Sequence, residues 1–104
     1  MNIAKMMQQA QKMQEKMQAL QVELASKTVE ATVGGGKVTV TATGGGDVVG
    51  LKIAPEVLDP DDVDMVEDLI LSGIRQALDK GKKLQADEMA KVSGELGLPP
   101  GLGL

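Results

Sequence analysis

Lysines are the residues whose type and spacing offer the clearest chemistry. Lys5, Lys12 and Lys16 stand seven and four positions apart, so on a helix turning 100° per residue they form a single stripe. Such a stripe has the geometry to follow a line of phosphates, although a solvated flank is the ordinary use of three lysines. A second basic group, Arg75, Lys80, Lys82 and Lys83, is set against Asp79 alone, with Arg75 and Lys82 sharing a face at i, i+7. It too reads first as surface. The acidic run Asp59, Asp61, Asp62, Asp64, Glu67 and Asp68 invites a Mg²⁺ reading, but its spacing matches no calcium loop. Carboxylates at a helix N-terminus already have a role there, stabilising the positive end of the dipole. Gly34-Gly35-Gly36-Lys37 lacks the spacing of a phosphate loop, has Val38 where Ser or Thr is needed, and precedes a strand pattern, so it reads as a hairpin turn.

What is missing narrows the chemistry further. The chain has no Cys and no His, which removes disulfides, thiolate and imidazole ligands, cysteine nucleophiles and histidine acid/base catalysis. No enzyme activity, metal or cofactor is expected. With no Phe, Tyr or Trp, the stacking platforms of single-strand binders and sequence-reading RNA modules are also absent. Any nucleic-acid partner would then be a duplex gripped by its backbone. The net charge is −4, yet residues 1–55 carry six lysines against four acids, while residues 56–104 carry five bases against eleven acids. A mean charge therefore describes neither half.

The elements that position these groups follow from periodicity. Ile3, Met6, Ala10, Met13, Met17, Leu20 and Leu24 recur in steps of three and four among Gln, Lys and Glu, which predicts a helix over 1–25 of roughly 36 Å. The Lys stripe lies about 110° round from this apolar one. The methionines serve either as a packing seam or as an adaptable peptide-binding surface. From Lys27 the period changes to two. Val29, Ala31 and Val33, then Val38, Val40 and Ala42, then Val49, Leu51 and Ile53 give a three-stranded antiparallel meander over 27–54, its turns made by two Gly triplets. Asp59-Pro60 reads as cap and first residue of a second helix over 59–92, with Gly73 and Gly81 on its apolar side inviting close backbone approach. Residues 93–104 read as a flexible Leu/Pro/Gly-rich tail. The fold class is α+β in one 104-residue domain, and a core without aromatics favours oligomerisation. No apolar run reaches signal-peptide or membrane-spanning length, so a soluble cytoplasmic protein without membrane partners is expected.

The run Met6-Met7-Gln8-Gln9-Ala10-Gln11-Lys12-Met13-Gln14-Glu15-Lys16-Met17-Gln18 is followed by a Gly-rich turn, Val38-Thr39-Val40, Ile53-Ala54-Pro55-Glu56-Val57-Leu58 and Asp61-Asp62. Val66-Glu67-Asp68-Leu69-Ile70 and Leu98-Pro99-Pro100-Gly101 come after these. Together, and in this order, they closely resemble the YbaB/EbfC family of bacterial nucleoid-associated proteins. The resemblance implies a tweezer-like homodimer whose sheets and second helices join at the centre and whose first helices project. It implies binding of double-stranded DNA with little sequence specificity, and a part in nucleoid organisation and gene regulation. Lys5, Lys12 and Lys16 match the family's basic first helix, and Arg75, Lys82 and Lys83 its basic later helix. Val66, Ile70, Gly73 and Ala77 fall at the implied dimer seam. The alternative is an adaptor that recruits recombination or replication proteins through the Met stripe and the Leu-rich tail without touching DNA.

Overall fold

The computed structural model describes residues 2–95, so most of the expected tail lies outside the described residues. Its elements are helix α1 (Ile3–Ser26), strands β1 (Thr28–Val33), β2 (Val38–Thr43) and β3 (Val48–Ile53), a 3-10 turn (Pro55–Val57) and helix α2 (Val63–Glu95). The α+β class read from the periodicity is the one observed. α1 starts where the Asn2 side chain accepts the Lys5 amide at 3.2 Å, supplying one of the bonds an open helix end lacks. It stops where the Lys27 amide closes back on the Glu23 carbonyl and the chain turns extended.

The three strands form an antiparallel sheet in the order β1-β2-β3. Gly34, Gly35 and Gly36 all adopt positive φ in the first hairpin, a conformation that penalises any residue with a Cβ. Cross-strand partners share a face, so Val29, Ala31 and Val33 join Ala42, Val40 and Val38 on one side. The other side presents Thr28, Glu30, Thr32, Thr39 and Thr41. In β3 the alternation is broken. Val40 faces Leu51 and Thr41 faces Gly50, but Ala42 faces Val48, so Val49 is the extra residue of a bulge. The expected face of Val49, Leu51 and Ile53 is thus corrected to Val48, Leu51 and Ile53.

α2 crosses the apolar face of the sheet over β1 and β2. Its Ala77 packs with Ala31, Val38, Val40 and Ala42 as the fully buried core, flanked by Leu69, Ile74 and Leu78. The glycines fix how close the helix comes. A Cβ on Gly73 would lie 2.8 Å from Val40, and one on Gly81 would lie 2.6 Å from the Thr43 carbonyl. The close backbone approach expected at these glycines is therefore made by the chain's own sheet. Two further expectations at this helix need correction. Asp59-Pro60 does not open it: Asp59 instead closes a turn by accepting the Asp61 amide at 2.9 Å. Asp62 takes the cap, with its carboxylate on the Met65 amide at 3.4 Å. At the other end the helix runs on through Ser93, Gly94 and Glu95, residues assigned to the tail by pattern alone.

β1 and β3 are both edge strands, but they are finished differently. The Lys80 ammonium reaches from α2 and donates to the Glu30 carbonyl at 2.8 Å, occupying the rim of β1. Lys80 therefore serves the fold. Along β3, Val48 and Leu51 stay exposed although they lie on the core face, because α2 does not extend over them.

Gly81→Ala is expected to lower stability by about 1–3 kcal/mol through overpacking, against a helix-propensity gain of about 1 kcal/mol. Gly94→Ala, where the added Cβ meets nothing within 4 Å, keeps only the propensity gain and is expected to hold or raise the melting temperature. Thermal unfolding followed by circular dichroism separates the two.

Candidate nucleic-acid interface

α1 is a single helix with two environments. Its C-terminal half is anchored: Leu20 and Leu24 are buried, and Leu24 packs so tightly over the second hairpin that a Cβ on Gly44 would lie 2.7 Å from it. The Gly44 amide also donates to the Lys27 carbonyl at 3.0 Å, tying the helix exit to that hairpin. Alongside, the last turns of α2 run antiparallel to α1. Lys16 meets Glu95 at 2.8 Å and Lys27 meets Glu88 at 3.2 Å, so ascending positions on α1 pair with descending ones on α2.

Lys27 sits between two carboxylates, Glu23 at 2.9 Å and Glu88. The hydrogen bonds to Glu23 and then Glu88 raise its pKa above the ordinary lysine value. The hydrogen bond from Lys27 in turn holds the Glu88 carboxyl below its ordinary range. Lys91 joins Glu88 from the other side at 3.5 Å. These charges brace the base of α1.

Beyond this brace the helix is unsupported. Every described residue from Asn2 to Lys12 is exposed, including Ile3, Met6 and Met7, and the molecule measures 70 Å along its longest axis against 20 Å across. This projecting arm contains no acid before Glu15. Lys5 and Lys12 have no carboxylate within salt-bridge distance among the described residues, and both point into solvent.

The structure thus brings the stripe of Lys5, Lys12 and Lys16 onto one helix but splits its duties. Lys16 is half-buried and ion-paired with Glu95, a partner 79 positions away that no local pattern could reveal. Arg75, Lys82 and Lys83 are exposed on the outer side of α2. They are not gathered with the arm: Lys83 precedes Glu95 by twelve residues, or about 18 Å of helix, and the arm begins beyond Glu95. Of the four residues expected at a dimer seam, Gly73 and Ala77 are used up inside the subunit's own core, since both lie on the face of α2 that packs against the sheet. Val66 and Ile70 are half-exposed. The acidic run gathers no metal site: among the described residues no three carboxylates converge, and Asp59 and Asp62 are spent on backbone amides.

A family model described as the YbaB/EbfC DNA-binding family matches residues 1–96 of this chain. The chain belongs to that family. A nucleoid-associated protein of Acetivibrio thermocellus is 52% identical over 101 residues, covering 97% of this chain and 89% of its own. Another, from Akkermansia muciniphila, is 48% identical and covers 99% of both chains. Among solved structures, an uncharacterized Helicobacter pylori protein matches with a TM-score of 0.64 at 19% identity, over 77% of this chain and 93% of that one. This last likeness shows the fold alone. No helix among the described residues is long and apolar enough to cross a membrane.

In this YbaB/EbfC chain Glu95 holds the Lys16 ammonium at 2.8 Å, so a phosphate would reach Lys16 only by displacing that carboxylate. Glu95→Gln is expected to tighten binding of a short duplex by up to about fivefold, the worth of an exposed ion pair. Fluorescence anisotropy at low salt measures it, and an unchanged or weaker affinity would show that Lys16 never contacts the duplex.

Proposed function

We propose that this protein is a nucleoid-associated, double-stranded DNA binder that grips phosphates with its projecting arms, has no catalytic role, and acts as a homodimer in the nucleoid. The observation that carries this reading is the arm itself. An acid-free helical segment, residues 3–14, bearing Lys5 and Lys12 that are unpaired among the described residues, extends from a chain that belongs to a DNA-binding family. Phosphate contacts position a protein without reading sequence, and the chain lacks aromatic side chains to stack on bases. Arg75, Lys82 and Lys83 would form a second contact line on the body. Family membership favours DNA over the adaptor alternative.

Dimerisation is supported by an uncovered apolar face. Val48 and Leu51 lie on the core face of β3 yet stay exposed, and α2 carries exposed Val63 and half-exposed Ile70 and Ile74. Leu69 packs at the β1–β2 turn beside Gly34 and Lys80 reaches β1, so at 100° per residue Ile70 and Ile74 turn toward β3. A second copy seated there would extend the core over β3, and the blocked rim of β1 leaves β3 as the open edge. Val66 and Ile70 remain the seam residues of α2 under this arrangement, together with Leu51.

Unrelated duplexes are expected to shift at low salt, with affinity falling on a log-log plot by about 0.9 per phosphate contacted. Lys5→Glu combined with Lys12→Glu should lower affinity at least tenfold and flatten the slope by about 1.8. A wild-type protein that shifts no duplex at low salt would overturn the proposal. For the seam, Leu51→Asp is expected to halve the mass seen by light scattering while preserving helix content. A wild type already monomeric at high micromolar concentration would remove the dimer.

A further inference from the structure

The arm carries more than charge. Resting on the DNA-binding reading above, we propose that Gln8 and Gln9 enter the major groove and read the edge of adenine, giving this protein a bias toward A·T pairs. On the helix, Gln8 and Gln9 each stand three or four positions from both Lys5 and Lys12. All four residues therefore share one face within about 100° of arc, as a diamond with a lysine at each end and the two amides between. Each of the four is exposed, and neither glutamine amide has a hydrogen-bond partner among the described residues.

The dimensions suit a groove. From Ile3 to Gln14 the arm is about 18 Å long, and a bare α-helix fits the roughly 12 Å width of the major groove but not the roughly 6 Å minor groove. Lys5 and Lys12 are about 10.5 Å apart along the axis, so their long side chains reach phosphates while the shorter amides between them reach bases. A glutamine amide presents one acceptor and one donor. Adenine offers the complement in this groove, an N6 amino donor beside the N7 acceptor. Guanine presents two acceptors, O6 and N7, which one amide cannot satisfy together. The result is a composition bias laid over phosphate binding rather than a site code.

The test uses the full chain and three duplexes of equal length: one A·T-rich, one G·C-rich, and the A·T-rich one with 7-deazaadenine, which lacks N7 but keeps Watson–Crick pairing. The wild type is expected to prefer the A·T-rich duplex about fivefold or more, and to lose most of that preference on the 7-deaza duplex. Gln8→Ala with Gln9→Ala should abolish the preference while leaving the salt slope unchanged, since no phosphate contact is removed. Circular dichroism checks that the arm stays helical. Equal binding of the A·T-rich and G·C-rich duplexes overturns the inference and leaves the proposed function standing. A preference that survives in the double variant or on the 7-deaza duplex also overturns it, pointing to groove shape. Failure to bind any duplex removes the reading on which it rests.

Discussion

Close contact at one junction holds this molecule in its shape. The backbone of α2 at Gly81 presses on the Thr43 carbonyl, Gly44 lies under Leu24 of α1 and Leu84 of α2, and the Gly44 amide holds the Lys27 carbonyl. Three elements meet where two of the residues have no side chain. Aliphatic cores gain from such closeness because dispersion contacts are short-ranged, and this core has no aromatic ring to bridge a wider gap. The direction of the arm follows from the same junction. Leu20 and Leu24 seat the second half of α1, and the first half has nowhere to go but outward.

Charge is distributed along the same lines. The chain is acidic in sum, yet several of its acids are occupied in the body: Asp59 and Asp62 on backbone amides, Asp64 in the first turn of α2, and Glu23, Glu88 and Glu95 in ion pairs. The arm holds lysines without acids. At physiological ionic strength the screening length is about 8 Å, so a phosphate beside Lys5 or Lys12 responds to the arm and hardly to the body. A protein of negative net charge thus carries a locally positive arm, because the field a nearby ion feels is local.

Much of this was legible in order along the chain. The steps of three and four from Ile3 to Leu24, the alternation in Val38-Thr39-Val40-Thr41-Ala42 and the Gly34 triplet each depend on neighbours within a few residues, and each element formed as its pattern required. The start of α2 is not legible in the sequence, because Asp59 and Asp62 are both capable caps and the intervening turn selects the later one. The bulge at Val49 is invisible in the sequence because an extra residue leaves no mark in a run of apolar side chains. Gly73 and Ala77 looked free for a partner because a helical stripe shows that a face is buried, not what buries it.

By itself the sequence determined the helices, the meander, the lack of catalytic and stacking groups, and the placing of Lys5, Gln8, Gln9 and Lys12 on one helical face. Those properties arise from bonds and steric limits between near neighbours. Only the tertiary structure decided which lysines are left for a ligand. Lys16 and Lys27 are drawn to Glu95 and Glu88, and Lys80 to the rim of β1, by contacts spanning 50 to 79 positions. It also decided that Val48 and Leu51 of β3 stay exposed while Ile53 packs on the core, because α2 rests mainly on β1 and β2.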